Sequence, residues 1–113
     1  MIKVAIIKDL AQNFLQAPRI TKKGDQMIIT YDYEMGSGEY SERNLYFDNV
    51  KDYRHTEEND VTAEIIEASY NSIAKVVDSN WINQDLLLKN YNHFIIYFDE
   101  YGAYEFVAKG FRF

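Results

Sequence analysis

The chain contains no cysteine, which excludes a disulfide scaffold, thiol catalysis and any zinc site built on thiolates. Proline occurs once and glycine five times, so collagen-like and linker-like sequence are excluded as well. No apolar run approaches the roughly 20 residues of a membrane span. The opening apolar run is interrupted at Lys8-Asp9, too early for a signal peptide. A cytoplasmic location is the expectation. Histidine is scarce: His55 and His93 have neither the spacing of a zinc pair nor a cysteine to join them. Nucleophile elbows and glycine-rich dinucleotide loops are absent, and Gly36-Ser37-Gly38 lacks the lysine of a phosphate loop. It reads as a turn. No metal site, cofactor or catalytic residue is assigned.

What is present is aromatic and acidic. The 113 residues suit one globular domain, 1–113, and ten Tyr with seven Phe rule out disorder as a description of it. The formal net charge is −6, unevenly spread. Up to Asp25, five cations face two anions, and the rest of the chain carries a balance of −9. That excess of negative charge opposes binding to nucleic acid or to anionic membranes, so neither is expected as a partner. The basic stretch Arg19-Ile20-Thr21-Lys22-Lys23-Gly24 reads as a solvated turn.

Periodicity supplies the elements. Phe94, Ile96 and Phe98 alternate with His93, Ile95 and Tyr97. After the turn Asp99-Glu100-Tyr101-Gly102, Tyr104, Phe106 and Ala108 alternate with Glu105 and Val107. This predicts a C-terminal β-hairpin. A second pair of strands is predicted over 27–35 and 40–47, and a short edge strand over 50–54. Ile66, Tyr70, Ile73, Ala74 and Val77 fall at helical spacing, with Asp60 or Thr62 as cap, although β-branched residues crowd 72–77. Helix is preferred there. Asp78-Ser79 can cap a second short helix holding Trp81, which reads as a core anchor. Residues 1–8 fit a strand, or a helix through Ala11 and Phe14. The expected fold is α+β, an antiparallel sheet of four to six strands with one or two helices inserted before the C-terminal hairpin.

The candidate chemistry is modest. Glu105 between Tyr104 and Phe106 would become a poised carboxyl if covered, or else pair with Arg112 or Arg43. His93 reads as a satisfied structural imidazole, and His55 as part of a polar loop. Tyr31, Tyr33, Tyr97 and Tyr104 exceed what a small core needs, and tyrosine suits interfaces. With Glu105 and His93 they are the candidate binding residues.

Phe47-Asp48-Asn49-Val50, Tyr53-Arg54, Asp78-Ser79-Asn80-Trp81 and the run from His93 to Asp99 with Gly102, Tyr104-Glu105 and Ala108 carry a resemblance. Over about residues 45–110 the chain resembles a group of small bacterial proteins that form a domain of unknown function. The resemblance implies no activity, cofactor or site residue. The reading that follows is a non-enzymatic protein-binding module that meets a protein partner or forms a homo-oligomer. Small acidic α+β proteins that act as immunity proteins provide a fold-level analogy. The alternatives are a small-ligand-binding domain with an aromatic-lined pocket, and an enzyme using Glu105, Asp99 or His93.

Overall fold

The computed structural model describes residues 1–7, 16–34 and 38–113. Alternation sorts their apolar side chains onto strands β1 (Ile2–Ile6), β2 (Arg19–Lys23), β3 (Gln26–Glu34), β4 (Tyr40–Asp48), β5 (Asp52–Thr56), β6 (Ser72–Lys75), β7 (Asn92–Phe98), β8 (Gly102–Ala108) and β9 (Gly110–Arg112). Two short helices, α1 (Ala63–Ser69) and α2 (Asn80–Asn83), precede the β7–β8 hairpin. The α+β class holds, but the strands form two sheets where one was expected. The five-stranded sheet has the order β1-β6-β7-β8-β5 and the four-stranded sheet the order β2-β3-β4-β9. Every pairing between named strands is antiparallel.

The reason for two sheets lies in which face each strand makes apolar. Met27, Ile29, Tyr31, Leu45 and Phe47 of the smaller sheet pack against Ile73, Phe94, Ile96, Phe98, Tyr104 and Phe106 of the larger one. Phe47 and Phe106 stack across this interior with ring centroids 4.1 Å apart and neither ring exposed. The larger sheet is also apolar on its second face, where Ala74, Ile95 and Ala103 meet Ile65 and Ala68 of α1. A strand covered on both faces reads as a continuous apolar run, as β7 does. The result is three layers: small sheet, large sheet, helices.

Local signals explain the elements. Thr62 caps α1, its side chain accepting from the Ile65 N–H at 3.3 Å. The helical stripe expected through Val77 ends early. Tyr70 is already extended, Asn71 turns the chain at φ 52°, and the β-branched run enters β6. There Ile73 faces the inter-sheet core and Ala74 faces α1. Of residues 1–8, Ile2–Ile6 form β1 and Lys8 lies outside the described residues, as do Ala11 and Phe14 of the helical alternative and Met35, Gly36 and Ser37. Arg19–Lys23 is a strand, not a turn, because Ile20 packs against the core and the reversal falls at Gly24. Gly102 sits at φ +104° where a Cβ would lie 2.0 Å from the Thr56 carbonyl oxygen. Only glycine fits that approach.

Candidate functional site

On the helix-facing side of the large sheet, register lines up Ala74, Ile95, Glu105 and Arg54 across β6, β7, β8 and β5. Arg54 stands directly opposite Glu105, and His93 lies diagonal to it. The guanidinium donates through Nε to Glu105 Oε2 at 2.8 Å and through Nη2 to Oε1 at 2.9 Å. His93 Nε2 donates to the same Oε1 at 2.8 Å, since an ionised carboxylate can only accept, and its Nδ1 shares a 2.7 Å hydrogen bond with the Ser79 hydroxyl. Ser79 in turn caps α2, accepting from the Ile82 N–H at 3.4 Å. Glu105, His93 and Ser79 are all buried.

The electrostatics follow from these contacts. Burial acts to raise the Glu105 pKa, but hydrogen bonds from His93 and Arg54 and their charges outweigh it and hold the carboxyl at about 2. The Arg54 guanidinium is shifted up by its hydrogen bond to Glu105. Order alone makes Ser79, His93 and Glu105 look like nucleophile, base and orienting acid. Two features oppose that use. Arg54 neutralises the acid that would support an imidazolium, and the Ser79 oxygen is already engaged by α2. The network's chemistry is to hold its neighbours.

Those neighbours reach the surface. The Arg54 guanidinium lies 4.4 Å above the centre of the Trp81 ring, and Trp81 meets His93 edge to face at 5.1 Å. Trp81 Nε1 donates to Asp52 Oδ2 at 3.1 Å. The indole is half-buried, less than a core anchor. A cleft of about 350 Å³ opens here, lined by Arg54, Ser79, Asn80, Trp81, Gln84 and His93 with Val76. Beyond α2 the turn Leu86–Leu88 buries Leu88 but leaves Leu86 and Leu87 89% and 84% exposed.

The other sequence candidates lie elsewhere. Tyr31 and Tyr104 are buried in the inter-sheet core, not spread on an open face, and Phe98 contacts both rings. Burial pushes the Tyr104 hydroxyl up to about 12. Tyr97 is buried on the α1 side, its hydroxyl 2.5 Å from Glu58 Oε1 and 3.3 Å from Asp99 Oδ1. Burial first, then those two carboxylates, raise its pKa far above the ordinary value. Tyr33 is half-buried with Arg43 stacked over it at 3.9 Å. The surface role expected of Tyr31, Tyr97 and Tyr104 is thus corrected: the two apolar faces of the large sheet take up rings that one sheet would leave outside. Glu105 pairs with Arg54, not with Arg112 or Arg43. His55 lies on β5, stacked on Tyr104 at 4.3 Å.

A second cavity of about 440 Å³ is lined, among the described residues, by Ile6, Tyr31, Arg43, Asn44 and Phe113. No group of three or more metal-ligating side chains occurs among the described residues, and no helix there is long and apolar enough to cross a membrane. Comparison with known proteins returns no matching family model, no matching curated protein and no matching solved structure.

Proposed function

We propose that the chain is a non-enzymatic protein-binding module that meets a basic protein partner through the face built on Arg54 and Trp81. The observation that carries this reading is the fixed Arg54–Trp81 pair. Tryptophan and arginine dominate binding hot spots, and here both are oriented before any partner arrives. A pre-set contact loses little side-chain entropy on binding. The net charge of −6 favours a cationic partner and speeds encounter at low salt.

The test is light scattering at low and high salt, followed by pull-down from the native host. A cationic protein retained at low salt and released at high salt supports the reading. Self-association is the variant in which the particle doubles and tightens with salt, because salt screens like charges. A strict monomer that retains no protein contradicts the reading.

A small-ligand reading rests on the cavity bordered by Tyr31 and Phe113, whose volume is in the range of roughly 300–1,000 Å³ typical of ligand sites. Its mark is a metabolite that co-purifies and is lost when Tyr31 is enlarged to Trp.

A further inference from the structure

We propose that the cavity between β1 of the large sheet and β3–β4 of the small one binds a neutral, largely apolar molecule with one acceptor oxygen, which takes a hydrogen bond from the Tyr31 hydroxyl. The proposal rests on the small-ligand reading and names the class of ligand. It is independent of the Arg54–Trp81 face. Ile6 reaches the cavity from β1, Tyr31 from β3 and Arg43 with Asn44 from β4, while Phe113 follows β9. Its volume of about 440 Å³ lies within the range of roughly 300–1,000 Å³ found for ligand sites.

Tyr31 is the residue that points to a ligand. It is 2% exposed, yet its hydroxyl makes no hydrogen bond among the described residues. Nor is that oxygen sealed in: among the described residues, Glu58 Oε2 is the one unpartnered side-chain polar atom closed off from solvent. The Tyr31 oxygen therefore opens onto the cavity that the ring lines. Its ring packs against Phe98 at 5.8 Å, and register sets Arg43 directly opposite it. The donor is thus oriented before a ligand arrives, which lowers the entropy lost on binding. A hydroxyl held out of bulk water without a partner is costly, and a ligand oxygen that accepts from it removes the cost.

The rest of the wall sets the ligand's character. Asn44 is engaged, its Oδ1 accepting from the Thr30 hydroxyl at 2.7 Å and its Nδ2 donating to the Tyr46 hydroxyl at 3.4 Å. The Arg43 guanidinium is stacked over Tyr33 at 3.9 Å. Ile6 and Phe113, 71% and 58% exposed, supply apolar surface for a ligand to cover. Burial raises the Tyr31 pKa, opposed by the Arg43 charge, so the phenol is a protonated donor at neutral pH. The same desolvation disfavours a carboxylate in the ligand, and a plain hydrocarbon would leave the hydroxyl unpaired. A neutral molecule with one carbonyl or ether oxygen avoids both costs.

The experiment compares three probes of similar apolar bulk by equilibrium dialysis: prodan, a neutral naphthalene carrying one ketone; dimethylaminonaphthalene, which lacks the ketone; and naphthoate, an anion. The proteins are the wild type, Tyr31→Phe, which keeps the ring against Phe98, and Phe113→Ala at an exposed wall position, with melting curves to check folding. Wild type is expected to bind prodan about fivefold tighter than either other probe, the size of one neutral hydrogen bond. That preference for prodan over dimethylaminonaphthalene is expected to vanish in Tyr31→Phe, whereas Phe113→Ala weakens both. Equal binding of the two in wild type, or a preference that survives in Tyr31→Phe, overturns the inference and leaves the small-ligand reading standing. So does naphthoate binding tighter than prodan. Failure of all three probes to bind wild type, or binding that Phe113→Ala leaves unchanged, overturns the inference and the small-ligand reading together.

Discussion

The Arg54 guanidinium lies over the Trp81 indole, 4.4 Å from its ring centre, while two of its nitrogens grip the buried Glu105 carboxylate. One side chain thus joins an interior polar network to a surface contact. Removing the carboxylate leaves Arg54 and His93 without their acceptor, and leaving a buried imidazole unpaired is costly. Glu105→Ala is expected to destabilise the fold by about 3 kcal/mol in urea unfolding and to loosen Trp81, seen as increased acrylamide quenching of its fluorescence.

The same carboxyl sets a pH dependence. Its pKa falls from an ordinary 4.5 to about 2 on folding, so its contribution is complete above about 4.5 and is lost as pH drops toward 2. The shift corresponds to roughly 2 kcal/mol once solvent screening on the half-exposed Arg54 side is allowed for. Urea midpoints measured between pH 5 and 2 are expected to fall more steeply for the wild type than for Glu105→Gln. Parallel curves for the two proteins would remove Glu105 from the account.

Gly102→Ala is expected to cost about 2–4 kcal/mol. The new Cβ would lie 2.0 Å from the Thr56 carbonyl oxygen at a φ of +104°. Relief would require β5 to move away from β8, carrying Arg54 off Glu105. Thermal melting reads the loss, and an unchanged midpoint would show that the β5–β8 contact is not held as described.

Ser79→Ala removes both the cap of α2 and the hydroxyl on His93, and a loss of about 1–2 kcal/mol is expected. The wild-type serine is expected to stay unmodified by a fluorophosphonate probe, since its acid partner is neutralised by Arg54 and its oxygen is buried. A mass-spectrometric adduct on Ser79 would mean that the Ser79–His93–Glu105 chain works as a nucleophile relay.

Much of this was legible from local pattern. The β7–β8 hairpin, its glycine turn and the caps Thr62 and Ser79 follow from neighbours within a few residues, while the edge strand expected over 50–54 lies at Asp52–Thr56. The second sheet is not local: Phe47 and Phe106 are 59 positions apart and meet only because their strands carry the same inward phase. Helix and strand competed at Ile73 and Ala74 because an apolar stripe at i, i+3 and i+4 also occurs in a strand buried on both faces. His93 and Glu105 stood out by being polar in apolar runs. Arg54 did not, since an arginine in an edge strand is ordinary until register sets it opposite Glu105, 51 residues away. Hydropathy alone does not say that, of Leu86, Leu87 and Leu88, only Leu88 turns inward.

The most direct test of the protein-binding face compares wild type and Trp81→Ala as bait for the native host's proteins at low salt. The variant keeps the Arg54–Glu105 pair, and its melting curve establishes that it is folded. The account predicts that the wild type retains a cationic protein, released by salt, and that Trp81→Ala retains it about tenfold less or weaker still. Equal retention by the two baits, or no protein retained by either, would contradict it.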